Sequence, residues 1–314
     1  MHLPTEETIR AALDMAQEAP LAGATLPWKW WLNGAALHIR LDDSRIAVSI
    51  DPAIRRTQMI GHGAALHHLA TALPAFGWAV ADTVPLPDPI DPNYLAVLHL
   101  TPATATRDQI ELAGAIFQRQ FQHNRFRPWE MPSNLIRSIS RGAAGTRAAA
   151  RHVPDGLRSD LAAAYRRAAD RNTDFGEFLT GVAGRVDQRE PVLEPETPTW
   201  ASERIEREAP EDPFADRSPD AAELLVLCTP IDDPASHLSA GAAASSIVLT
   251  AAGHGLASSL LTQTMTVPDV RSGVRDNVLY ECAYPHALIR LGRPDQSDTG
   301  RRYVRALPGA TTVS

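Results

Sequence analysis

The sequence predicts an α+β chain of two fused halves, with mixed sheets covered by helices. Three observations carry this. First, one phrase occurs twice: residues 63–79 read GAALHHLATALPAFGWA and residues 241–257 read GAAASSIVLTAAGHGLA. Gly63-Ala64-Ala65 aligns with Gly241-Ala242-Ala243 without a gap, as do Leu69 with Ile247, Gly77 with Gly255, Trp78 with Leu256 and Ala79 with Ala257. Second, each copy reads as a helix of small and apolar residues closed by glycine, the residue that tolerates a left-handed turn, and then passes into an apolar strand. Third, helical and strand-like stretches alternate along the chain, the pattern of helices layered on sheets. Helices so free of charge are buried on most sides. Small residues let another backbone approach closely, so the two copies are expected to pack together near Gly63, Ala64, Gly241 and Ala242.

The elements follow in order. Thr5 precedes Glu6 and Glu7, and a capping hydroxyl followed by acids suits a helix N-terminus at IRAALDMAQEA. WKWWL and ALHIRL flank Asn33-Gly34, a hairpin signal that places positive φ at both residues. Trp28, Trp30 and Trp31 lie on that first strand, where alternate residues divide between core and surface. A long helix is expected from Ile54 to Phe76, then strands at WAVADTV and NYLAVLHL across the proline-rich PLPDPIDP. Further helices are expected from Arg107 past Gln120, from Pro132, and over 155–185. Residues 187–220 are acidic, rich in proline and poor in apolar side chains, which reads as a lid or surface loop. After it come a strand (ELLVLCT), the second Ala-rich helix, a strand (LASSLLTQTM), a helix (VPDVRSGVRDNVL) and a strand (HALIRLG). The halves divide at 1–106 and 107–314.

Bulk properties narrow the function. The chain has 314 residues, 44% of them hydrophobic, enough for a sizeable core. A net charge of −7 argues against a nucleic-acid or anionic-lipid partner. No apolar run is long enough to span a bilayer, and MHLPTEETIR lacks the basic start and apolar stretch of a signal peptide. The expectation is a cytoplasmic protein. The two cysteines, Cys228 and Cys282, make neither a disulfide framework nor a metal motif, and Cys228 reads as a core residue. His62, His67 and His68 share one helix without the spacing and carboxylate of a zinc site, so they read as partly exposed or interface histidines. His254 and His286 read as structural, and no metal is expected.

The chain resembles the Acg family of the FMN-binding nitroreductase superfamily. Ala19-Pro20-Leu21 through Leu26-Pro27-Trp28-Lys29-Trp30 corresponds to the family's Ala-Pro-Ser and Gln-Pro-Trp-Arg-Trp elements. Asp51-Pro52, Gly63 to Leu66, and Gly77-Trp78 match its Asp-Pro, Gly-Ala-Ala-Leu and Gly-Trp elements. LLVLCTPIDDPASHLSAGAA, GLASSLLTQTMTVPDVRSGVRD and YPHALIRLGRP follow the family more closely still. The resemblance implies a nitroreductase-like fold in which two fused halves form a pseudo-dimer, and hence a monomer that imitates a dimer.

The resemblance also implies a cofactor site. The phosphate clamp maps to Arg119-Gln120-Phe121-Gln122-His123, with Arg125 nearby and the late pair Arg301-Arg302 completing it. The strand end at Thr262-Gln263 would bring backbone groups to the flavin. Two departures stand out. Phe121 and His123 replace the family's hydroxyl residue and second arginine, and Leu21, Ala24 and Leu26 replace its polar Ser, Asn and Gln. The function implied is an FMN-dependent oxidoreductase that passes hydride from NAD(P)H through flavin N5 to a nitro compound or quinone. No acid–base residue is assigned. The alternatives are an inactive homologue that sequesters flavin or another ligand, an FMN-free pocket put to other use, or a protein-binding scaffold.

Overall fold

A computed structural model describes residues 3–20, 28–42, 52–84, 91, 93–119, 126–153, 155–163 and 222–294. The first layer begins with α1 (Glu6–Ala16), whose Thr5 hydroxyl accepts from the Thr8 backbone N–H at 3.2 Å. Strands β1 (Trp28–Asn33) and β2 (Ala36–Leu41) form the expected hairpin. Its turn lies one residue later than the Asn-Gly signal indicates: Asn33 pairs with Ala36, and Gly34 is the residue at positive φ, +61°. Glycine at the first central position is the pattern of a type II′ turn. In this register Trp28, Trp30 and Leu32 lie opposite Leu41, Ile39 and Leu37 and pack on the core. Trp31 points the other way, 43% exposed, and stacks on His38 at 5.0 Å between ring centroids.

Helix α2 (Pro52–Ala72) continues into a 3-10 turn at Leu73–Phe76 and ends at Gly77, φ +81°. β3 (Trp78–Val84) and β4 (Tyr94–Pro102) follow, and the four strands form an antiparallel sheet in the order β1-β2-β4-β3. Helix α3 (Arg107–Gln118) opens with a capping box at Thr106 and Gln109. It stops short of the expected end, because Arg119 leaves helical geometry at φ −57°, ψ 123°. Ala113, Ala115 and Ile116 of α3 join α1, α2 and the four-stranded sheet in one apolar core.

The second layer holds β5 (Phe126–Arg127), α4 (Ser133–Ser140), β6 (Ala149–His152), β7 (Glu223–Thr229), α5 (Pro234–Gly253), β8 (Ala257–Leu261), α6 (Pro268–Asn277) and β9 (Tyr284–Pro294). β9 pairs antiparallel with β5, β7 and β8, and β6 extends the sheet beyond β7. β7 alternates: Leu225 and Leu227 face α5, whereas Leu224, Val226 and Cys228 face α6. Both faces are buried, which is why ELLVLC reads as a continuous apolar run. The expected strand over LASSLLTQTM stops at Leu261, since the chain leaves β9 there and enters a 3-10 turn at Gln263–Thr266. The expected lid at 187–220, and the helix beyond 163, lie outside the described residues.

Helices α2 and α5 cross at the centre of the molecule. A Cβ on Gly63 would lie 2.0 Å from the Leu238 carbonyl oxygen, and a Cβ on Gly241 would lie 1.9 Å from the Ile60 carbonyl oxygen. The contacts are reciprocal, since Leu238 and Ile60 each stand three residues before the glycine of their own helix. Each backbone sits where the other's side chain would be, so glycine is required at both positions. Such reciprocity marks an isologous contact between equivalent surfaces.

Candidate cofactor site at the junction of the two layers

The crossing of α2 and α5 brings three histidines of α2 into the interior. His67 Nδ1 and His68 Nδ1 each lie 2.7 Å from the Ser245 hydroxyl. One hydroxyl can donate to one imidazole and accept from the other. Ser245 stands in the second phrase where His67 stands in the first. Contact between such equivalents is what a local two-fold relation produces. Trp28 Nε1 donates to His62 Nδ1 at 3.2 Å. Burial lowers the pKa of His62 and of His67 to about 4, and drives that of His68 well below its ordinary value, helped by the nearby Arg119 charge. All three are neutral imidazoles near pH 7, and His62 and His68 are buried rather than partly exposed.

Two further contacts lie here, one within the first layer and one between the layers. Arg119, at the end of α3, donates from Nη2 to the Glu18 carbonyl at 2.9 Å. Arg56, in the first turns of α2, donates from Nη2 to the Met265 carbonyl at 2.6 Å. Met265 belongs to the turn that follows Thr262, and Thr262 O accepts from Met265 N at 3.0 Å. Thr262 is buried at the end of β8. The Gln263 backbone continues the same turn, and the buried Thr264 hydroxyl has no hydrogen-bond partner among the described residues.

Arg119 and the Thr262–Gln263 segment therefore both sit at the junction, reached from opposite ends of α2. His68, beside Arg119, and Arg56, beside the turn, are twelve residues apart on that helix. At 1.5 Å per residue this is about 18 Å. His123, Arg301 and Arg302, together with Leu21, Ala24, Leu26 and Phe121, lie outside the described residues.

A polar group that sequence reading passed over adjoins the turn. Asp232, His237 and His286 place ligand-type atoms within 4.8 Å of one another. His237 Nε2 lies 2.8 Å from Asp232 Oδ1, and Arg271 Nη1 lies 2.8 Å from Asp232 Oδ2. Burial would raise the Asp232 carboxyl, but hydrogen bonds from Arg271 and His237 hold it well below the usual carboxylate range. Burial, with the His237 charge, pushes His286 down to about 3, so its ring is neutral. The Thr229 hydroxyl spends its proton on the Ile231 carbonyl at 2.6 Å and so accepts from His286 Nε2 at 2.5 Å. That fixes the tautomer and leaves the buried Nδ1 as an acceptor without a partner among the described residues. The arginine side chains also act on His237 electrostatically, which makes the group a poor cation trap and a good brace between α5, α6 and β9. The available signal was the segment TPIDDPASH, which ends β7, caps α5 through Asp233 and carries both Asp232 and His237.

No family model matches the chain. It is 31% identical over 307 residues to the Mycobacterium tuberculosis (strain ATCC 25618 / H37Rv) protein named "Putative NAD(P)H nitroreductase Rv3131", covering 93% of this chain and 86% of that protein. The chain belongs to the Acg-like family of NAD(P)H nitroreductases. A second member of the family, "Putative NAD(P)H nitroreductase acg" of the same organism, is 27% identical over 302 residues, with 92% and 89% covered. Among solved structures, the FMN-dependent nitroreductase NfnB from Mycobacterium smegmatis in complex with NADPH aligns with TM-score 0.40 and 19% identity, over 65% of this chain and 99% of that one. Membership in the Acg-like family rests on the sequence relatives. Among the described residues, no helix is long and apolar enough to cross a membrane.

Proposed function

We propose that this chain is an FMN-dependent oxidoreductase that carries electrons from NAD(P)H to a nitro compound or quinone. The observation that carries the reading is the junction itself: Arg119 is fixed to the Glu18 carbonyl, and the Thr262–Gln263 turn is fixed to α2 by Arg56. The roughly 18 Å along α2 from His68, beside Arg119, to Arg56, beside the turn, suits an elongated ligand with a charged end and a flat end better than a single ion. The residues present fit FMN in two respects. Arg119 offers a cation for a phosphate, and the Thr262–Thr264 turn offers backbone groups and one buried, unsatisfied hydroxyl. Arg301, Arg302 and His123 would complete the phosphate side.

FMN, when bound, supplies the two-electron relay between a nicotinamide and the acceptor. The chain's part is to bind and orient. Arg119 holds negative charge at the end of α1. Arg56 fixes the Met265 carbonyl and so the turn that Thr262 begins. The neutral His62, His67 and His68 keep protons and charge out of the helix crossing. No side chain is assigned a proton-transfer step.

The same reading makes the chain a fused pseudo-dimer that is a monomer in solution, with halves at 1–106 and 107–314. The reciprocal Gly63 and Gly241 contacts support it. The α3 helix packs into the core of the opposite half, which joins the two units further.

A second reading, a protein that retains flavin or another ligand without turnover, draws support from Arg119, which already gives one guanidinium N–H to a backbone carbonyl. One experiment separates them. The purified protein is soaked in FMN, desalted and mixed with NAD(P)H and a nitroaromatic or quinone acceptor. The proposal expects a retained flavin spectrum and acceptor-dependent NAD(P)H oxidation. A retained flavin without oxidation supports the second reading, and failure to retain flavin overturns the first and the flavin-retaining form of the second.

A further inference from the structure

A cavity of about 450 Å³ opens at the end of the second sheet remote from Thr262, lined by Arg127, Trp129, Leu135, His254 and Arg293 among others. β8 separates the two places. Thr262 follows its last residue and Leu256 precedes its first, about 20 Å apart at the rise of an extended strand. The cavity therefore lies away from the Thr262–Gln263 end of the proposed cofactor site.

Its charge is the unusual feature. Arg127 and Arg293 are direct partners across the antiparallel pair of β5 and β9, so their side chains leave the same face side by side. Like charges placed directly opposite in a sheet repel and destabilise it. No carboxylate lines the cavity, and neither arginine makes an ion pair or hydrogen bond among the described residues. Arg293 is held in place by its guanidinium 4.3 Å over the Trp129 ring. His254 adds a third nitrogen base at the rim. Two guanidinium groups converging on a concave surface match a doubly charged oxyanion, which each can grip with paired N–H donors. The volume lies within the range of small-molecule sites and exceeds what a lone phosphate needs.

We propose that this cavity binds a phosphorylated small molecule, its phosphate clamped between Arg127 and Arg293. The last turn of α5 offers a rival, purely structural account: helix C-terminal carbonyls attract cations. The two accounts predict opposite effects of removing one arginine from the ligand-free protein. If the pair is an anion clamp, Arg127→Gln or Arg293→Gln relieves repulsion and raises the melting temperature. If the arginines brace the helix end, each substitution lowers it.

Binding is tested on the full chain saturated with FMN, so that the proposed cofactor site does not compete; if the chain retains no flavin, the protein is used as purified. AMP, inorganic phosphate and adenosine are titrated calorimetrically as separate probes. The proposal expects AMP to bind, inorganic phosphate to bind more weakly and adenosine to give no heat. Each glutamine substitution should weaken AMP by at least about tenfold, in line with loss of a charged hydrogen bond. Both side chains are exposed, so the fold should survive the change. Absence of AMP binding, equal binding by the double variant, or a fall in melting temperature in both single variants would each overturn the proposal. A flavin-free chain that still binds AMP through the two arginines would refute the cofactor reading and leave this one standing.

Discussion

A methyl group on Gly63 would lie 2.0 Å from the Leu238 carbonyl oxygen, and that oxygen is backbone within a buried helix. It cannot step aside without moving α5. Gly63→Ala is therefore expected to destabilise the protein by about 3 kcal/mol, at the upper end of overpacking effects, in urea denaturation. Gly114→Ala is the internal control. It lies inside α3, where an added Cβ would meet only the flexible Gln118 side chain at 3.9 Å. The alanine should gain about 0.5–1 kcal/mol from helix propensity. If the two substitutions had the same sign, the close-packed crossing would lose its support. Both crossing glycines were legible in the sequence, because GAA occurs twice at the same distance from a glycine stop. Arg56 was not, since nothing in RRT distinguishes a surface arginine from one that reaches a carbonyl 209 positions away. For the proposed cofactor, Arg119→Ala and Arg301→Ala should each weaken FMN by ~1.5–3 kcal/mol, the usual value of a hydrogen bond to a charged group. Equal, tight FMN binding by wild type and both variants would remove these residues from the phosphate.

At the scale of elements, α2 carries its own acid sensitivity. His62 and His67 have folded-state pKa values of about 4, against 6.5 for an unperturbed histidine, and His68 lies lower still. The unfolded chain then binds more protons than the folded one below about pH 6.5, so stability rises with pH through this window. The stabilisation is complete above pH 6.5 and is lost as pH falls toward 4. Thermal melting across pH 4 to 7 should show this fall, and His68→Gln, which keeps a polar side chain, should flatten it. An unchanged slope in the variant would mean that the acid sensitivity lies elsewhere. The helices and long strands were readable because their apolar periods run over many residues. β5 and β6, with two and four residues, are too short to show a period and were missed. The hairpin turn was misplaced by one residue because the Asn-Gly signal is local: Asn33 pairs with Ala36, and glycine takes the first central position instead of the second. The Asp232–His237–His286 group escaped for a related reason: β9 brings His286 to the start of α5 only once the sheet is assembled.

For the whole molecule, the proposed reading is that one chain contains an interface of the kind that two subunits would share. The expected outcome in solution is a monomer of 34.0 kDa by light scattering. A stable species of twice that mass would contradict the idea that the internal crossing replaces a partner. Among the described residues, Arg127 and Arg293 stand side by side at the far cavity, a pairing of like charges that calls for an anion. The proposed place for FMN is the junction between the layers. The most direct measurement is a titration of FMN into the purified protein, followed by the flavin absorption and fluorescence of the bound fraction after desalting. The account predicts saturation at one FMN per chain, with binding weakened in Arg119→Ala. Protein that stays colourless after saturating FMN and desalting would contradict it.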